Sequence, residues 1–108
     1  MTARRYDAIV VGGGHNGLVA AAYLGRAGLA TLLLERRDTV GGALADREIA
    51  PSARVPALAH TVGRLAASVA RELELSGHGL RLVQPAALAT SVGAEGGPIT
   101  LWSDPART

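Results

Sequence analysis

The chain has 108 residues and a formal net charge of +2, with no cysteine and no lysine. That length allows at most one ordinary domain. The missing cysteines exclude a disulfide framework, a thiolate metal site and a cysteine nucleophile, and no metal site of another kind is expected. The basic residues are scattered arginines without aromatic partners, so no nucleic-acid surface is indicated. Arg4-Arg5 and Arg36-Arg37, the only basic doublets, read as solvated loop ends. Hydrophobic residues make up 48% of the chain, enough for a core, but one built of Ala, Leu and Val because Phe is absent. No apolar run approaches 18 residues, which excludes an ordinary membrane span. The first residues lead straight into a candidate strand rather than a signal peptide, so the default compartment is the cytoplasm.

In chain order, Ala8-Ile9-Val10-Val11 is apolar and rich in β-branched residues, and glycines bound it. It predicts a short buried strand of a parallel sheet, apolar on both faces. Gly12-Gly13-Gly14-His15-Asn16-Gly17 follows, and Gly12, Gly14 and Gly17 fit G-x-G-x-x-G. The segment Leu18 to Arg26 predicts a helix, with Gly28 as its stop. Thr31 to Leu34 predicts a second strand, closed by the acid Glu35. Strand, glycine turn, helix, strand and acid, in about 30 residues, form the dinucleotide-binding βαβ pattern.

Each glycine of the pattern has a task. Gly12 permits a tight turn off the strand, Gly14 a close backbone approach to a pyrophosphate, and Gly17 tight packing of the helix. The first helical N–H groups lack intrahelical partners, and the helix dipole favours an anion there. Glu35 stands about 20 residues beyond the glycines, placed to accept hydrogen bonds from ribose hydroxyls. A bare glycine pattern would suit an ordinary turn in an unrelated α/β protein. The strand, helix and acid around it make this a nucleotide site.

Arg36-Arg37-Asp38-Thr39-Val40-Gly41-Gly42-Ala43 comes next. Its Gly-Gly pair reads as a loop turn or as a second close approach to a diphosphate or sugar. An acid, arginines and a Gly-Gly pair in this order resemble the second fingerprint of large FAD-dependent oxidoreductases. YDAIVVGGGHNGLVAAAYLGRAG and ERRDTVGGA are similar to the phytoene dehydrogenase (carotenoid desaturase)-like branch. The resemblance is strong over Tyr6 to Ala43, about a third of the chain. It departs from many relatives at Ala43, where they carry an arginine; Arg47 and Arg54 are substitutes left open.

The resemblance implies FAD as cofactor, with NAD(P) as the alternative. Gly12, Gly14 and Gly17 match its pyrophosphate turn, lined by Gly13, His15 and Asn16. Glu35 matches the ribose acid, Arg36 the basic residue flanking the adenosine, and Gly41, Gly42 and Ala43 the second loop. His15 would stand at the diphosphate end, far from a flavin ring, which argues against a catalytic role. His60 falls where the family approaches the isoalloxazine, although a structural histidine is the simpler reading. No catalytic residue is assigned.

Beyond the fingerprints, Ala43 to Ile49 and Arg54 to Ala59 are extended candidates around a Pro51-Ser52 turn. Thr61 is a candidate N-cap for a helix to Leu75, with Val62, Leu65, Ala66, Val69 and Leu73 on one face. Leu80 to Val83 and Ala87 to Val92 read as short strands. A Gly93-to-Pro98 turn then feeds a strand from Ile99 to Trp102. Ser103-Asp104-Pro105 opens a further helix, and the chain stops at Thr108. The expected fold is therefore α/β: a Rossmann-type βαβ unit with a parallel sheet, then a short helix and β-hairpin region. The expected division is residues 1–60 for FAD binding and residues 61–108 for the helix and the start of a substrate-side sheet.

The chain looks truncated beside a family whose FAD domain is completed by a C-terminal segment. A missing C-terminal part or a second chain is thus an expected partner. The function implied is the N-terminal FAD-binding portion of an oxidoreductase that takes hydride or electrons from a small organic, even hydrophobic, substrate. An NAD(P)-binding dehydrogenase domain and an inactive nucleotide-binding fragment are the alternatives. The isolated chain is expected to show no turnover, and the resemblance leaves peripheral membrane attachment open.

Overall fold

The computed structural model describes residues 4–59, 61–93 and 96–107. The chain divides between Leu75 and Ser76 into two compact units.

The first unit begins with β1 (Ala8–Val11), α1 (His15–Arg26) and β2 (Thr31–Leu34). β1 and β2 pair in parallel, with Ala8 opposite Thr31 and Val11 opposite Leu34. This is the expected Rossmann-like α/β arrangement. Asp7 locks its open end: its carboxylate accepts the Ala30 N–H at 2.8 Å, and its own N–H donates to the Ala30 carbonyl at 2.8 Å. At the other end the Gly12 N–H donates to the Leu34 carbonyl at 2.7 Å.

The helix ends where a residue with positive φ allows it to. Gly28 sits at φ +84°, its N–H bonding the Gly25 carbonyl while the Leu29 N–H bonds that of Leu24. This is a Schellman closure, which needs a left-handed residue at that position. α1 starts earlier than expected, at His15, because the Leu18 N–H already bonds the Gly14 carbonyl at 2.9 Å.

The expectation that β1 is buried on both faces is not met. Val10 lies against α1, its Cγ1 3.5 Å from where a Cβ on Gly17 would stand, but Ile9 is 60% and Val11 83% exposed. A parallel sheet needs cover on both sides to bury both faces, and among the described residues α1 covers only one.

After β2 a 3-10 turn (Gly42–Leu44) leads into β3 (Asp46–Ala50) and β4 (Ala53–Pro56), an antiparallel hairpin. Its turn is Pro51-Ser52, as expected, with Ser52 at φ +64°. The helix expected from Thr61 to Leu75 is a short α2, Ala67–Glu72, with Ala66 rather than Thr61 at its N-cap. Gly63 and the β-branched Val62 lie in what would be its first turn, and both disfavour helix. Val62 accordingly stays 59% exposed, while Leu73 is buried at the helix C-terminus. Tyr23 of α1 donates its hydroxyl to the Glu72 carboxylate at 2.7 Å, joining the two helices.

The second unit is a hairpin of β5 (Ala87–Ser91) and β6 (Ile99–Trp102), followed by a 3-10 turn (Pro105–Arg107). Thr90 and Thr100 share a hydroxyl hydrogen bond across it at 3.1 Å. Asp104 caps the final turn, its carboxylate accepting the Ala106 N–H at 3.0 Å. The strand expected from Leu80 to Val83 does not form; Leu82 and Val83 have no strand partner among the described residues and are exposed. Ala94 and Glu95, in the expected Gly93-to-Pro98 turn, lie outside the described residues. No described helix is long and apolar enough to cross a membrane.

Candidate functional site

Four glycines open the site, for different physical reasons. Gly12 turns the chain off β1 at φ +104°, which a side chain rarely tolerates. Gly13 is buried, and a Cβ there would meet Val40 Cγ1 at 2.9 Å and the Glu35 side chain at 3.2 Å. At Gly17 a Cβ would overlap the Gly12 carbonyl oxygen, so this glycine lets α1 sit directly on the turn.

Gly14 is different. Its φ of −73° and ψ of 175° suit any residue, and a Cβ there would meet nothing within 4 Å. Neither strain nor packing within the chain requires a glycine at that point. The space it leaves faces outward beside the first turn of α1. The N–H groups of His15, Asn16 and Gly17 precede the first intrahelical donor, Leu18. They carry the positive end of the helix dipole. This is a cradle suited to an anion brought against the backbone.

Glu35, at the end of β2, holds this turn in place. Its carboxylate accepts the Gly13 N–H at 2.7 Å through Oε2 and the Arg37 N–H at 3.0 Å through Oε1. These bonds, that from Arg37 first and that from Gly13 next, hold its pKa below the ordinary carboxylate value. The group is therefore charged at neutral pH. Each oxygen keeps a further lone pair for an outside donor.

The second glycine segment packs on the first. The Gly41 N–H donates to the Gly13 carbonyl at 2.7 Å, and Gly14 and Gly41 form an isolated parallel bridge. Gly41 sits at φ +116°. A Cβ on Gly42 would come within 3.0 Å of the Gly14 Cα. Beside this contact lies an open cavity of about 830 Å³, lined by Glu35, Arg36, Arg37, Gly42, Ala43 and Arg47 among others.

The structure thus brings Glu35, Arg36, Gly42 and Ala43 to one cavity and ties Gly13 and Gly14 to it through Gly41. His15 and Asn16 are exposed at the start of α1 and do not line it. Of the two arginines left open, Arg47 lines the cavity, whereas Arg54 pairs with Asp46 at 3.9 Å. His60 lies outside the described residues. Sequence reasoning missed Val40 as the lid on Gly13 and Asp7 as the strand lock. An acid directly ahead of the first strand was the available signal for Asp7; Val40 had none.

Residues 10–82 match the family described as "NAD(P)-binding Rossmann-like domain". The chain belongs to that family. Among curated proteins it is similar to the mouse (Mus musculus) "Pyridine nucleotide-disulfide oxidoreductase domain-containing protein 2", 47% identical over 77 residues. That match covers 71% of this chain and 13% of the mouse protein. A limonene dehydrogenase subunit of Castellaniella defragrans is 33% identical over 101 residues, 94% of this chain and 18% of its own length. "(S)-6-hydroxynicotine oxidase" of Paenarthrobacter nicotinovorans is 50% identical over 58 residues, 54% of this chain and 13% of the oxidase. The chain thus spans less than a fifth of the length of each of these relatives. No solved structure matches it.

Proposed function

We propose that this chain is the ADP-gripping segment of a flavin-dependent oxidoreductase of the phytoene dehydrogenase-like kind, with FAD as cofactor. The observation that carries the reading is Gly14, a half-buried glycine that neither backbone conformation nor internal packing demands, with open space where a side chain would stand at the start of α1. A diphosphate brought against the Gly14 backbone uses that opening, and the free N–H groups of His15 to Gly17 are its donors. Glu35 accepts hydrogen bonds from the ribose hydroxyls with its remaining lone pairs, and Arg36 flanks the adenosine. Gly12, Gly13, Gly41, Gly42 and Ala43 shape the turn and the loop that receive the two phosphates.

When bound, FAD supplies acceptance of hydride or electrons from an organic substrate; the residues here supply grip and placement. No side chain is assigned to acid–base work. In this reading residues 1–60 hold the nucleotide and residues 61–108 begin the substrate side. The names of the relatives, a dehydrogenase and an oxidase among them, support oxidoreduction of a small organic molecule. A further segment or a second chain is the partner that covers the flavin.

The family description favours a second reading, binding of NAD(P) itself. The charged Glu35 opposes a 2′-phosphate and so restricts this reading to NAD. Purified protein incubated with FAD, desalted and scanned should retain oxidised flavin absorbance near about 450 nm, a property of the cofactor. A colourless protein that binds NADH instead would replace the first reading with the second.

A further inference from the structure

We propose that Val40 is a positioning residue of the nucleotide site: it clamps the two glycine loops together and so sets the turn at Gly13. The proposal rests on the reading that this turn receives a nucleotide. Gly13 is buried and is held from three directions. Its N–H donates to Glu35 Oε2 at 2.7 Å, and its carbonyl accepts the Gly41 N–H at 2.7 Å. The third contact is apolar. Val40 Cγ1 stands 2.9 Å from where a Cβ on Gly13 would lie, filling the slot that the missing side chain leaves. All three contacts come from the segment that runs from Glu35 to Gly41.

The two hydrogen bonds hold the ends of one glycine, whose φ and ψ are the freest of any residue. A methyl group pressed on its Cα side removes that freedom. Valine is stiff at χ1 and so presents the methyl in a fixed place. Gly14 follows Gly13 directly, and Gly42, two residues after Val40, lies against the Gly14 Cα. Val40 does not line the Glu35 cavity; it acts on ligand affinity through the backbone of the turn. Because it stays 50% exposed, its truncation removes little buried area and should barely move the melting temperature.

The test compares wild type with Val40→Ala, Val40→Ile, Gly13→Ala and the double variant Gly13→Ala/Val40→Ala. Val62→Ala is the control, an equal truncation at an exposed valine outside the site. Amide exchange is measured in the free protein, and ADP affinity by calorimetric titration. In Val40→Ala the Gly13 and Gly41 N–H groups should exchange about tenfold faster and ADP should bind about tenfold more weakly. The Leu29 N–H, which closes α1, should keep its rate. Val40→Ile retains both γ-carbons and should restore both readouts, and Val62→Ala should match wild type. The same Val40→Ala change should improve ADP binding in the Gly13→Ala background, where it makes room for the new methyl group. The Glu35 side chain, 3.2 Å from that methyl, keeps the recovery partial. A general loss of packing would not reverse sign in this way. Wild-type exchange at Gly13 and Gly41 in Val40→Ala, or quickening shared equally by Leu29, would overturn the clamp. Faster exchange with wild-type ADP affinity would overturn its part in binding. Wild-type protein that binds no ADP would overturn the nucleotide reading, while exchange in the free protein would still decide the clamp.

Discussion

The carboxylate of Glu35 accepts the backbone N–H of Gly13 at 2.7 Å, tying the end of β2 to the middle of the glycine turn. A residue expected only to touch ribose therefore also supports the glycine turn proposed to receive the phosphates. Glu35→Gln is expected to place an amide N–H against either Gly13 or Arg37, leaving one of those backbone donors without an acceptor. Amide exchange in the free protein should then quicken at that residue. Unchanged exchange at both would show that Glu35 does not hold the turn.

The same carboxylate gives a pH dependence with a definite sign. Its folded-state pKa lies below the ordinary value of 4.5, chiefly through the Arg37 N–H and next the Gly13 N–H. The stability it contributes is present above the ordinary value and is lost as pH falls through the lowered one. Melting temperature followed downward from pH 5 should fall more steeply for wild type than for Glu35→Gln.

Gly17 and Gly14 should respond oppositely to a side chain. Gly17→Ala drives a methyl group into the Gly12 carbonyl and should cost about 3 kcal/mol in denaturant unfolding. Gly14→Val meets open space, so its stability should stay near wild type while ADP binding is lost. A Gly14→Val variant that binds ADP normally would remove the basis for the diphosphate assignment.

How far the sequence foretold this site depended on the range over which each contact acts. β1 and β2 formed at their expected bounds because short apolar runs between glycines leave few alternatives. Gly28 stopped α1 through a local Schellman closure. The burial of Gly13 beneath Val40 was not legible, since all of α1 and β2 separate a pattern slot from a residue with no polar signature. The different surroundings of Arg47 and Arg54 were not legible before the hairpin register separated them. The long helix from Thr61 failed locally, at Val62 and Gly63. The exposure of Ile9 and Val11 was a matter of how many layers cover the sheet, which strand pattern alone does not encode.

Glu74 closes α2 as Gly28 closes α1: the Leu75 N–H bonds the Ala70 carbonyl at 3.0 Å, and the Glu74 N–H that of Arg71 at 3.1 Å. Here the left-handed position, φ +52°, is held by a glutamate. Glu74→Gly should raise stability by about 0.5–1 kcal/mol in thermal unfolding, by relieving the Cβ crowding of that conformation. A loss of stability would mean that the glutamate side chain outweighs its backbone strain.

The diphosphate of a nucleotide is proposed to sit at Gly14, on the first turn of α1, and every other assignment at the site depends on that placement. Titration of the ¹⁵N-labelled chain with ADP, followed by amide NMR, tests it residue by residue. Saturable shifts concentrated at the amides of Gly14 to Gly17, Glu35 and Gly42 are the expected result. Shifts confined to the β5–β6 hairpin, or none at saturating ADP, would contradict it.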